Sequence, residues 1–278
     1  MRISRTLASV LAATAVVAGT LFAASSASAA PPLPARMAAL GDSITQAAMT
    51  CSALTSCPAN SWSTGTTASV DSHALRLKAL GATGLVAYND AVSGAASAAL
   101  PGQASSAASQ GAQYVTIEMG ANDACTSTVA GMTSTSTFTA NVQAALATLS
   151  SSTAHPQIFV ASVPNLLRMY NLNKNNAIAR FVWAIFGTCK SMLANPTSTA
   201  AADVARRNAV QAQVDALQRR ARGRVRRHRE LPVRRRRRRE LPVHDLGHLD
   251  ARLLPPVADR PGASRGRHVG GLAVGLLT

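Results

Sequence analysis

Residues 35–45 read ARMAALGDSIT, a short and mostly apolar run that ends on the polar turn Gly41-Asp42-Ser43. An apolar run without alternation, stopped by a glycine, is the pattern of a strand buried on both faces. The same punctuation recurs along the chain. GLVAY at 84–88 leads into NDAVSGA at 89–95, and YVTIE at 114–118 leads into MGAND at 119–123. QIFVASV at 157–163 is a fourth strand, ending at Pro164. Segments with helical spacing lie around these runs, at 72–80, 105–111, 138–149, 177–193 and 201–217. Strands alternating with helices predict an α/β fold, a central parallel sheet covered on both faces.

The strand ends carry the candidate chemistry. In an open parallel sheet, ligands bind outside the carboxyl ends of the strands. There the sequence sets Ser43 after the first strand, Gly94 after the second and Asn122 after the third. A serine at a strand-to-helix turn presents its hydroxyl above the sheet, with its own N–H at a helix start. Gly94 offers an unhindered N–H, and Asn122 a side-chain amide donor. Three donors around one hydroxyl suit acyl transfer through a tetrahedral oxyanion. Asp42 and Asp123 are expected to cap turns.

GDSIT at 41–45, the glycine of NDAVSGA and GAND at 120–123 resemble the first three blocks of the SGNH, or GDSL, hydrolases. CPANSWSTGT at 57–66 and FVWAIFGTCKSMLANP at 181–196 resemble secreted actinobacterial members. The likeness spans residues 37–217. It implies a flavodoxin-like three-layer α/β/α domain that hydrolyses carboxylic esters, as an esterase or a lipase. It also implies Ser43 as nucleophile and an oxyanion hole of Ser43 N–H, Gly94 N–H and the Asn122 side chain. No metal or cofactor is expected. The expected partner is a small-molecule or lipid ester, and the expected state is a monomer.

Residues 1–30 read as a secretory signal peptide: Arg2 and Arg5, an apolar stretch over 7–24, then Ala27-Ser28-Ala29 as a cleavage site. This predicts an extracellular protein with no stable membrane insertion. Export makes the four cysteines candidates for disulfides. Cys51 and Cys57 are near enough in sequence to close a small loop, and Cys125 and Cys189 are a second candidate pair. No histidine stands near them at a metal-ligand spacing.

The formal charge of +16 is concentrated at one end. Residues 218–278 hold 17 arginines, 5 acids, no lysine and no Phe, Tyr, Trp or Cys. Six successive arginines repel one another, so this stretch is expected to be a disordered tail beyond a hydrolase domain of residues 31–217. With no aromatic residue for base stacking, a nucleic-acid partner is not expected. The alternative is a catalytically dead hydrolase-like protein whose basic tail binds nucleic acid or an anionic cell-surface polymer.

The family's fourth block is Asp-x-x-His, the orienter and base that activate the serine. Asp245 and His248 have that spacing, but without the aromatic surroundings, and His244 and His268 have less context still. A reading-frame shift near 217–220 explains the change of character. Residues 252–257, RLLPPV, can be encoded CGA CTA CTT CCA CCC GTC. Read from the second base, that string spells Asp-Tyr-Phe-His-Pro-Ser, the missing block. The same offset restores family-like sequence over 218–262 and two further cysteines.

Overall fold

The structure, a computed structural model, describes residues 32–51 and 54–230, with side chains as far as 221. The signal peptide expected at 1–30 and the candidates Asp245, His248, His244 and His268 lie outside the described residues. Four strands, β1 (Arg36–Gly41), β2 (Val86–Asn89), β3 (Tyr114–Glu118) and β4 (Gln157–Val160), form one parallel sheet in the order β2-β1-β3-β4. The chain leaves β1 to one side for β2 and returns to its other side for β3. The loops after β1 and β3 therefore diverge and open a crevice at the carboxyl edge.

Helices α1 (His73–Ala79), α2 (Leu100–Ser109), α3 (Ala121–Ala124), α4 (Thr135–Ser151), α5 (Leu166–Asn173), α6 (Ala177–Ile185), α7 (Lys190–Leu193) and α8 (Ala201–Glu230) complete the domain. Side chains alternate across the sheet. On one face Ala38, Leu40, Val115 and Ile117 pack with buried residues of α2, α4 and α8. On the other, Met37 and Tyr114 pack with Leu85 and with Ala74 of α1. The result is the expected α/β/α layering. Small residues such as Ala104 and Ala107 let α2 lie close between sheet and α4. Ser134 caps α4 by accepting from Thr137 N–H, and Phe138, Val142, Ala145 and Leu149 form its inward stripe.

Two expectations need correction. The single helix read over 177–193 is broken into α6 and α7, because Gly187 (φ 58°) and Cys189 (φ 47°) adopt the left-handed conformation that stops a helix. The stretch expected to be disordered from 218 begins as helix: α8 continues to Glu230, and Gln218 Nε2 donates to Val163 O at 2.8 Å. Arginine and alanine are good helix formers, and extending an existing helix is far easier than nucleating one.

Candidate active site

β1 delivers Ser43 to the crevice, and a buried amide fixes where the strand stops. Gln103 on α2 accepts from Gly41 N–H (2.8 Å) and donates to Gly41 O (2.9 Å). A Cβ at position 41 would collide with Thr45 Oγ1 and stand 2.5 Å from the Glu118 carbonyl oxygen, so only glycine fits between β1 and β3. The α-helix expected to begin at Ser43 does not form. The chain makes successive turns, Gln46 N–H to Asp42 O (3.1 Å) and Ala48 N–H to Ser43 O (2.9 Å). Ala47 (φ 49°) and Met49 (φ 60°) then stop any helix from propagating. The macrodipole contribution expected at Ser43 therefore drops out, but among the described residues its N–H still meets no acceptor.

Gly94 lies in the turn after β2 with φ 81°, and its N–H likewise meets no acceptor among the described residues. Asn122 sits on α3, just after β3. Its Nδ2 donates to Ala95 O at 2.9 Å and reaches Asp42 Oδ2 at 3.5 Å, a long and weak contact. One amide thus spans from the neighbour of Ser43 to the neighbour of Gly94, and the three predicted donors converge. Asp42 caps its own turn as expected, accepting from Ile44 N–H at 2.8 Å. Asp123 does something else. It accepts from Ser97 N–H (2.9 Å) and Ser97 Oγ (2.6 Å), tying the Gly94 loop to α3 rather than capping a turn.

The proton-transfer half is not among the described side chains. Ser43 Oγ is buried and has no hydrogen-bond partner among the described residues. His73 pairs through Nδ1 with Tyr114 Oη at 2.8 Å, packed against Trp62 and Phe159. That places it at the amino end of β3, about 13 Å from the strand's carboxyl end. Burial, with the Arg76 charge, pushes its pKa down to about 4, so it is a neutral core histidine at pH 7. His155 stands just before β4, at the same edge, with Nδ1 3.1 Å from Ser150 O.

Residues 39–252 match the GDSL-like Lipase/Acylhydrolase family. The chain belongs to that family. By family, then, it is an ester-acting hydrolase of SGNH type. Among solved structures it is similar to the phospholipase A1 from Streptomyces albidoflavus NA297, with 19% identity over 70% of this chain and 77% of that one and a TM-score of 0.36. At that distance the likeness carries no argument about substrate. No curated protein matches the chain.

This GDSL-like hydrolase holds an acid pair behind its serine that the sequence reading missed. Glu118 closes β3 opposite Gly41, and it and Asp42 are both buried. Burial pushes Asp42 up to about 6, against the opposing pull of Ile44 N–H and a hydrogen bond from Glu118. Burial, reinforced by Asp42, holds Glu118 well above the usual carboxylate range. As two carboxylates they would offer each other no donor, and no other described group donates to Glu118. As acid and carboxylate, Glu118 O–H donates to Asp42 and satisfies both. The sequence signals were present: a lone acid in the apolar run YVTIE, and Gln103 on the inward stripe of Leu100, Ala104 and Ala107.

Of the two candidate cysteine pairs, the second is bonded and the first is not. Cys125, directly after α3, is bonded to Cys189 at the start of α7, with Cα atoms 4.7 Å apart. Cys51 and Cys57 are free thiols in this structure. They are near neighbours, and the Cys51 thiol pushes that of Cys57 above its ordinary range.

Proposed function

We propose that this chain is a secreted serine hydrolase of carboxylic esters, with Ser43 as nucleophile and an oxyanion hole of Ser43 N–H, Gly94 N–H and Asn122 Nδ2. The observation that carries the reading is the convergence of two free backbone donors and one side-chain amide beside a buried, unpartnered serine hydroxyl. In the reaction, Ser43 Oγ attacks the ester carbon and its proton passes to a base. The alcohol leaves, and water releases the acid from the acyl-enzyme. The substrate class is a small-molecule or lipid ester.

The chain is proposed to be impaired, since neither histidine with a described side chain, His73 or His155, stands near Ser43 and the family's base block is proposed to be written in the offset frame. A dead hydrolase-like protein is the second reading, and the same observation favours it. The test compares the chain as it stands with the frame-restored chain on p-nitrophenyl acetate. The restored chain is expected to turn over in a Ser43-dependent way, with the present chain slower by several orders of magnitude. No Ser43-dependent turnover in the restored chain overturns the hydrolase reading. Equal turnover by both overturns the impairment and points to Asp245 and His248. Export is tested by N-terminal sequencing of the mature protein, expected to begin near Pro31.

A further inference from the structure

Helix α6 carries apolar residues on its outer face as well as its inner one. Its inner residues Ala179, Val182 and Trp183 join the core, while Ile178, Phe181 and Ile185 remain 66%, 64% and 61% exposed. These three lie at i, i+3 and i+7, one straight stripe on the outer face. Phe186 continues it past the helix end, and Leu172 precedes it on α5, both exposed. The stripe alone exposes on the order of 300 Å² of apolar surface, the size at which a patch marks an interaction site. Isolated exposed apolar residues need no explanation, but a second apolar face on one helix does.

The surrounding charge says what would cover it. No Asp or Glu occurs between Asp123 and Asp203, a stretch that contains Arg168, Lys174, Arg180 and Lys190. Arg168 and Lys190 are exposed. An apolar stripe on a stretch of chain that carries cations and no acid is matched by an anionic lipid surface, where the stripe enters the acyl boundary and the cations meet headgroup phosphates. The location is also telling. Four residues past α6, Cys189 is bonded to Cys125, and Cys125 stands three residues after Asn122. Thr126 N–H donates to Ser191 Oγ (3.2 Å) and Ser191 N–H to Thr126 O (2.9 Å), clamping the same junction. The segment that carries the stripe is thus bolted to the segment that carries the oxyanion amide.

We propose that the outer face of α6 (Ile178, Phe181, Ile185), with Arg168, Lys174, Arg180 and Lys190 around it, docks the enzyme on anionic lipid surfaces beside its active site. The inference deepens the ester-hydrolase reading by naming an aggregated lipid ester as the substrate class, but docking itself is measured without turnover.

The experiment uses the full chain and vesicles of phosphatidylcholine with and without phosphatidylglycerol, with binding read by co-flotation. The variant I178S/F181S/I185S alters exposed positions only, and F181D is a milder companion should the triple variant misfold. The arginines beyond 217 are the same in all three proteins, so their attraction to anionic vesicles cancels in the comparison. The triple variant is expected to lose on the order of a hundredfold in partition to phosphatidylglycerol vesicles, and F181D about tenfold. The wild type is expected to bind neutral vesicles more weakly. Variants that bind like wild type would overturn the proposal, assigning vesicle binding to the arginine-rich stretch. A wild-type dimer in sedimentation equilibrium that the triple variant abolishes would overturn it too, assigning the face to a second copy. Fluorophosphonate labelling of Ser43, followed in the frame-restored chain carrying the same substitutions, is expected to be unchanged. Loss of docking with labelling intact, or of labelling with docking intact, therefore tells which of the two readings has failed.

Discussion

Replacing Asp42 by Asn tests whether the turn at Ser43 holds a carboxylate against its solvation. The Asp42 carboxyl is fully buried and its pKa stands at about 6 instead of 3.8. A raised folded pKa stabilises the fold fully below the unfolded value and loses that contribution as pH rises through the folded one. Two pKa units correspond to about 3 kcal/mol, most of it between about pH 4 and about pH 7. His73 acts in the opposite sense over almost the same interval. Its pKa is lowered from 6.5 to about 4, so its contribution is whole above 6.5 and lost as pH falls through 4. The two slopes nearly cancel in the wild type, while burial and the Asp42 charge hold Glu118 well above the usual carboxylate range. D42N retains an acceptor for Ile44 N–H but no longer titrates. Urea unfolding followed by far-UV circular dichroism should show D42N gaining about 2 to 3 kcal/mol on wild type between about pH 4 and about pH 7. D42N alone should then weaken on acidification, exposing the His73 slope. A wild-type-to-D42N difference that stays constant over this interval would refute the reasoning.

Three further outcomes are expected. In the frame-restored chain, N122A should lower kcat by about 10² to 10³ with little change in KM, read by steady-state ester hydrolysis, because it removes one donor of the proposed oxyanion hole. Q103L should destabilise the fold by about 2 to 3 kcal/mol in urea melts, because it strands the buried Gly41 N–H. C125S/C189S should cost about 4 kcal/mol of stability, the loop-closure entropy for a separation of 64 residues.

The features legible in the sequence were those written locally. YVTIE predicts β3 to the residue, and the polar ends of the first three strands predict the crevice, because a parallel sheet forces successive strand ends onto one edge. Details that depend on distant partners were not legible. The acid in YVTIE gives no hint that its neighbour is Asp42, since that pairing exists only through the β1–β3 register. Asp123 reads as a turn cap because its partner, Ser97, is 26 residues away. The division of α6 from α7 depends on Cys189 adopting a left-handed backbone where it meets Cys125, and no hydrophobic period encodes that. Helix α8 outruns its apolar stripe because arginine sustains a helix once one exists, whatever frame supplied it.

The most direct test of the central claim is mass spectrometry of the frame-restored protein after treatment with a fluorophosphonate, mapping the adduct by peptide. The account predicts one phosphonyl group, on Ser43, lost in S43A and strongly slowed in N122A. An adduct on another residue, or none on a folded protein, would contradict it.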